Sequence, residues 1–272
     1  MGRFCNLLDT PVHPDLIHLG PLHIPVFSAF AVVGLLVALF LSQRTARLAG
    51  LPPEAMWDAG VVAAVSVFVI SRLLLVVFNF KSFLQYPLLV LTLPSVTFTG
   101  FFGMGVVMWV FLRYRGLAYA RVLDAAAPCL ALLWAILSLG GFATGSKGLP
   151  TTLPWGIDDA MLGKIHPVEV YTAIAALVLC VVLLRALMVS HARGDAPGKT
   201  AATGLFLFGA IVFFLSFLTQ PSESSEILIL DPIEWLGLAS MALSAVMALP
   251  HLDDGSTGNT AATNQETSPH AI

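Results

Sequence analysis

Between residues 24 and 250 the chain is a succession of apolar runs, each about long enough to cross a bilayer. A helix needs about 20 apolar residues to cross a hydrocarbon core of roughly 30 Å. That window fits near 24–43, 58–80, 97–115, 121–142, 167–189, 202–220 and 229–250. In lipid, backbone N–H and C=O groups must be satisfied inside the protein, and continuous apolar runs of this length do it as helices. The sequence therefore predicts an all-α integral membrane protein with seven transmembrane helices. Before the third run, residues 83–96 are apolar too, but Pro87 and Pro94 interrupt them. That stretch is expected to form an interfacial or re-entrant arm.

The charge content agrees with this reading. Only 11% of the 272 residues are charged and 57% are hydrophobic, whereas soluble domains carry about 25% charged residues. With a net charge of −3 and no basic run, the chain lacks the electrostatic footprint of a nucleic-acid binder. Cys5, Cys129 and Cys180 have no metal-ligand spacing, and two lie within apolar runs. They read as small buried hydrophobes, and no metal or cofactor is implied. Residues 1–23 lack the apolar core of a cleavable signal peptide, so the first helix is expected to act as its own insertion signal. Residues 251–272 are small and polar and are expected to form a disordered tail behind a membrane domain of 1–250.

Loop charges give an orientation. One set of loops holds Arg44, Arg47, Arg113, Arg115, Arg121, Arg185, Arg193 and Lys199; the other holds Arg3, Lys81, Lys147 and Lys164. Basic loops stay in the cytoplasm, so the N-terminus is expected outside and the polar tail inside.

Ionisable residues within spans are rare enough to be functional candidates. Arg72 is the strong case. It could anchor a lipid phosphate through paired donors, or it could pair with backbone carbonyls or Asp124, or snorkel to the surface. Asp124 and Glu234 stand near helix starts, where the dipole favours an acid. Thr99 and Gly100 open the third run within a cluster of glycines, which suits close helix packing or a head group approaching bare backbone. The one long polar interval, Ser138–Ala173, ends in His166-Pro167-Val168-Glu169 followed by Tyr171. Proline in a first turn and an acid able to reach back to the cap read as a helix start with His166 at the N-cap. The same residues also read as a polar cluster where a membrane cavity meets the outside, histidine being the side chain that exchanges protons near neutral pH.

Together these features resemble the prolipoprotein diacylglyceryl transferase family, integral membrane enzymes of bacteria. HPDLIHLGPLHIPVFSAF is similar to the family's opening HP…iG…irwYgl, and SRLLLVVF to its GaRlgyvlf. VTFTGFFGMG corresponds to sfHGGllG, and RVLDAAAPCLAL to lDllaPalalg. LPTTLPWGI and HPVEVYTA correspond to PT-lPWGv and HPsqLYEa, the most specific part of the match. The resemblance implies a bacterial plasma-membrane protein that takes phosphatidylglycerol and a lipoprotein precursor. The family reaction moves the diacylglyceryl group onto a cysteine thiol, which reacts as the thiolate.

Departures fall on the charged positions. The family's histidine is Thr99 here; the arginine, asparagine and acid of GRiGNFlnGE are Ser138, Gly141 and Ser146. The glutamate of LYE is Thr172, the arginine, glutamate and arginine of YGlgRFlvEflRep are Val212, Ser216 and Thr219, and the early tyrosine is Phe27. Arg72, Gly100, Asp124, Pro128, Trp155, Gly156, His166, Pro167 and Tyr171 are retained. The sequence thus points to a diverged member that binds phosphatidylglycerol or lipoprotein in an outer-leaflet cavity without the usual transfer. The alternative is an active transferase using His166 and Arg72, with His166 as the catalytic residue. In either case Arg72, Thr99, Gly100 and Tyr171 are the candidate lipid-binding residues.

Overall fold

Prolines and glycines set where the helices begin and end. A computed structural model describes residues 16–19, 22–80, 98–159, 162–220 and 231–265. A hairpin of β1 (Leu16–Leu19) and β2 (Leu22–Pro25) leads into α1 (Val26–Leu48). There follow α2 (Pro53–Phe78), α3 (Phe98–Arg115) and α4 (Tyr119–Thr144), then a second hairpin of β3 (Ile157–Asp159) and β4 (Gly163–Ile165). The chain continues through α5 (Val168–Arg193), α6 (Lys199–Ser216) and α7 (Pro232–Gln265). Pro53 opens α2, ahead of the apolar window at 58, because proline's fixed φ suits a first turn. Gly194, at φ 67° in the left-handed region, closes α5. At the start of α7, Glu234 reaches back to accept the Asp231 N–H at 3.2 Å, one half of a capping box and a cap as the acid's position suggested.

Five helices, α1, α2, α4, α5 and α6, are long and apolar enough to cross a membrane. This is a mostly helical, multi-pass membrane protein. Helices also occupy the third and seventh expected spans. However, α3 ends in Arg113-Tyr114-Arg115, and the apolar part of α7, Pro232–Ala248, is shorter than a full span. The expected arm at 83–96 lies outside the described residues. Two details differ from the all-α expectation. The short hairpins are β structure, the second turned by Gly163 at φ 75° and an Asp159 carboxylate accepting the Leu162 N–H at 2.9 Å. And the helix α7 is continuous through Gln265, past the point where composition predicts a disordered tail to begin.

Helix α4 is central, with α1, α5 and α6 packed against it; α2 lies on α1, α3 on α2 and α7 on α6. The interfaces are built of small residues, with Ala46, Ala125 and Ala176 wholly buried. Where α6 crosses α7, a Cβ on Gly209 would stand 2.6 Å from the Gly237 carbonyl oxygen, so the backbones touch. Large apolar side chains face outward instead: Phe78, Phe102 and Phe214 are 75%, 68% and 67% exposed. That inversion fits lipid as the surrounding solvent.

Asp124 does not stabilise the start of its own helix. It is buried, and its two oxygens accept the backbone N–H groups of Gly198 at 2.6 Å and Ala201 at 2.7 Å. These are otherwise orphaned donors at the start of α6. The carboxylate of α4 therefore caps α6 in trans, and it is not the partner suggested for Arg72.

Candidate functional site

Helix α4 ends at Gly145, φ 122°, and the chain then runs as an extended strap through Ser146–Pro150. Both edges of the strap are bonded. On one side Gln220 N–H donates to the Lys147 carbonyl at 2.9 Å, Gln220 Nε2 to the Gly148 carbonyl at 3.1 Å, and Leu149 N–H to the Leu218 carbonyl at 2.9 Å. On the other, His166 N–H donates to the Leu149 carbonyl at 2.9 Å. Only glycine fits at 148, because a Cβ there would lie 1.9 Å from the His166 carbonyl oxygen. A small patch of β pairing thus joins the α4–α5 loop to the end of α6.

His166 precedes the cap. The N-cap residue of α5 is Pro167, which supplies no side-chain acceptor, and Val168 N–H turns back to the His166 carbonyl at 2.9 Å. The His166 ring meets Tyr171 edge-on at 6.2 Å, and its Nδ1 is buried with no hydrogen-bond partner among the described residues. Tyr171 is fixed in turn by Trp155, whose Nε1–H donates to the phenol oxygen at 2.8 Å. The Leu153–Gly156 turn therefore places one retained aromatic on another.

Glu169 does not reach back to the cap. It reaches from α5 to the strap to accept the Ser146 hydroxyl, and its other oxygen accepts the Lys147 N–H at 3.2 Å. Its Cγ lies 3.7 Å from where a Gly141 Cβ would be, and Phe27 and Phe30 lie against the adjoining Gly140. The reading of the sequence passed over Glu169 as a site residue. The missed signal was paired: position 146 loses an acid as position 169 gains one.

The remaining candidates form a second group. Arg72 is half-buried on α2, its guanidinium carbon 5.2 Å from the centre of the Phe68 ring, a cation–π contact. Gly100, in the first turn of α3, is buried directly against Ser71, where a Cβ would come 1.9 Å from the hydroxyl. Thr99 beside it is exposed. The structure thus brings together Arg72, Thr99 and Gly100 on the α2–α3 pair, and His166 with Tyr171 at the α4–α5 turn. An apolar trough of about 540 Å³, lined by Phe101, Phe102, Gly105, Val106 and Trp109, runs along the face of α3 turned away from α2. No cluster of three or more metal-ligating side chains occurs among the described residues.

A sequence model of prolipoprotein diacylglyceryl transferases matches residues 14–250. The chain belongs to this family. It is 28% identical over 252 residues to the phosphatidylglycerol–prolipoprotein diacylglyceryl transferase of Methylococcus capsulatus, covering 88% of this chain and 91% of that one. The transferase of Cupriavidus metallidurans is 28% identical over 259 residues, covering 88% and 94%. That of Synechococcus elongatus is 29% identical over 184 residues, covering 63% and 64%.

Within the family frame, four of the small hydroxyl residues at charged positions share one behaviour. Ser138 donates to the Trp134 carbonyl at 2.9 Å, Thr172 to Val168 at 2.8 Å, Ser216 to Phe213 at 2.7 Å and Thr219 to Leu215 at 3.2 Å. Each hydroxyl proton is spent on the preceding turn of its own chain. Ser216 also lies 3.3 Å from Glu234 Oε1, an acid already committed to the cap of α7.

Proposed function

We propose that this member of the prolipoprotein diacylglyceryl transferase family binds phosphatidylglycerol, or the lipoprotein precursor, in a cavity at the hairpin end without performing the usual transfer. The observation that carries this reading is the inward-turned set Ser138, Thr172, Ser216 and Thr219. Diacylglyceryl transfer needs cations on the departing glycerol phosphate, because negative charge grows there in the transition state. Four hydroxyls bonded to their own helices supply neither charge nor a donor aimed at substrate, and Val212 supplies nothing polar. The lipid-binding part of the reading has separate support. Arg72 with Thr99 and Gly100 on the α2–α3 pair would offer a head group a guanidinium and bare backbone, and the trough of Phe101–Trp109 on the outward face of α3 would take an acyl chain. We place seven spans in a bacterial inner membrane, with the hairpin end outside and α7 running into the cytoplasm, on the strength of the loop charges.

One observation favours the active alternative. His166 Nδ1 is buried and unpartnered among the described residues, and a polar atom is kept in that state at a cost unless something, such as a precursor thiol, comes to meet it. Complementation of a bacterium depleted of its own transferase decides between them, with mass spectrometry of a reporter lipoprotein. The expected result is an unmodified reporter, together with phospholipid retained on the gently extracted protein. A diacylglyceryl-modified reporter, lost on His166→Ala, establishes the alternative.

A further inference from the structure

The turn between α1 and α2 has two unlike sides. Inward, Ala46, Leu51 and Met56 are buried in one cluster with Leu112, Val122 and Ala125. The two helices also touch where a Cβ on Gly60 would stand 2.5 Å from Leu39 Cδ2. Outward, a cleft of about 770 Å³ opens, lined by Gln43 and Arg47 of α1, by Glu54, Trp57 and Asp58 of α2, and by the prolines that link them. Asp58 is already committed to Arg115 of α3. Arg47 and Glu54 are exposed, and neither enters an ion pair among the described residues. The cleft thus presents a cation and an anion that do not neutralise each other, beside an indole. Its upper rim is apolar. Trp57 meets Phe40 edge-on at 5.7 Å, and Phe40 is exposed, as are Leu36 and Val61 one turn further along the same faces.

We propose that this cleft binds a phosphoethanolamine group, the head of a zwitterionic phospholipid in the leaflet at this end of the helices. Arg47 and Gln43 take the phosphate, Glu54 takes the ammonium with Trp57 beside it, and an acyl chain follows Leu36, Phe40 and Val61. The site is separate from the candidate residues on the α2–α3 pair and at the α4–α5 turn, so it stands or falls independently of the function proposed above. The lining chemistry selects the ligand. A guanidinium offers paired donors to phosphate oxygens, and the Gln43 amide adds another. A primary ammonium brings three N–H donors to a carboxylate and is attracted by an indole face. A quaternary ammonium has no N–H for Glu54, and a single indole is not the aromatic cage that holds such groups. The exposed Arg44, Arg113 and Arg121 at this end would draw any anionic lipid. Glu54 is what sets the cleft apart, because it repels a head group that carries no cation.

The test uses the full chain in neutral detergent and native mass spectrometry. Four probes are titrated: short-chain phosphatidylethanolamine, the matching phosphatidylcholine and phosphatidylglycerol, and glycerophosphoethanolamine, which lacks the chains. Wild type is expected to bind phosphatidylethanolamine about tenfold more tightly than phosphatidylcholine, the size of one charge-assisted hydrogen bond. Glu54→Gln should abolish that preference without weakening phosphatidylglycerol, and Arg47→Ala should weaken both zwitterionic lipids about tenfold. Arg47→Lys should retain most of the binding. Arg72→Ala should leave phosphatidylethanolamine unaltered, which separates this cleft from the α2–α3 pair. The sign of the Glu54→Gln effect is decisive. A purely anionic ligand drawn by the arginines would gain from loss of the acid, so stronger phosphatidylethanolamine binding in Glu54→Gln would overturn the proposal. Phosphatidylethanolamine binding within about twofold of wild type in Arg47→Ala would do the same, as would equal binding of phosphatidylethanolamine and phosphatidylcholine by wild type. Glycerophosphoethanolamine bound with the same dependence on Glu54 would support the cleft while making a free phosphate ester its ligand.

Discussion

The contact between Ser146 and Glu169 can be reversed, and the reversal measures what it is worth. In Glu169→Gln the amide oxygen still accepts the Lys147 N–H, and the amide N–H can donate to Ser146 Oγ. The Ser146 proton can then turn to the His166 carbonyl, already 3.2 Å away. Only the charge assistance is lost, about 1 kcal/mol. In Ser146→Glu, two carboxylates face each other across the gap one hydroxyl now spans. At a separation near 4 Å and an effective dielectric of about 20, that repulsion is roughly 4 kcal/mol, cut to about 2 kcal/mol by partial exposure of the site. In the double variant Ser146→Glu/Glu169→Gln the acid stands on the loop and the donor on α5. The contact returns with its roles exchanged, and stability should recover to within about 1 kcal/mol of wild type. Unfolding of the four proteins by SDS titration in mixed micelles gives the cycle, with an expected coupling of about 2 kcal/mol. Strict additivity, with the double variant the least stable of the four, would refute the claim that these side chains form one contact.

Asp124→Ala should destabilise the protein by about 2–4 kcal/mol in the same titration, because it leaves two N–H groups of α6 unsatisfied. Asp124→Asn, which keeps one acceptor, should cost less. Gly148→Ala cannot be accommodated against the His166 carbonyl, so it should expose the 145–167 loop to limited proteolysis while the helices survive. Gly100→Ala should push α3 from α2, lowering stability by about 1–3 kcal/mol, and Ser71→Gly in the same chain should recover part of that loss. An unchanged transition for Gly100→Ala would mean that the two helices do not touch there.

The apolar runs were legible because lipid leaves a chain few options, and the helices fall on the expected windows. Their true ends were set by features a hydropathy window does not weigh. Pro53 starts α2 early, and α1 carries Arg44 and Arg47 inside its final turns, where cations suit the helix dipole. The site was harder. His166 and Tyr171 are five residues apart, so local spacing was enough to associate them. Glu169 and Ser146 are separated by 23 residues and a hairpin, and nothing in either neighbourhood announces that they meet. Asp124 and Gly198 are farther apart still. Motif comparison position by position registered the acid missing at 146 but not its arrival on the facing helix, since a carboxylate can be delivered to one point in space from either wall.

The strap through Ser146–Pro150 precedes both of its neighbours in translation order. Ile165 and His166 leave the ribosome soon after it, but Leu218–Gln220 must wait for two further helices. Until α6 is in the membrane, one edge of the strap has no mate and Lys147 lacks its bond to Gln220. This patch of β pairing is therefore completed late in biogenesis. A nascent chain stopped before residue 218 would hold His166, Tyr171 and Glu169 beside a strap bonded on one edge alone.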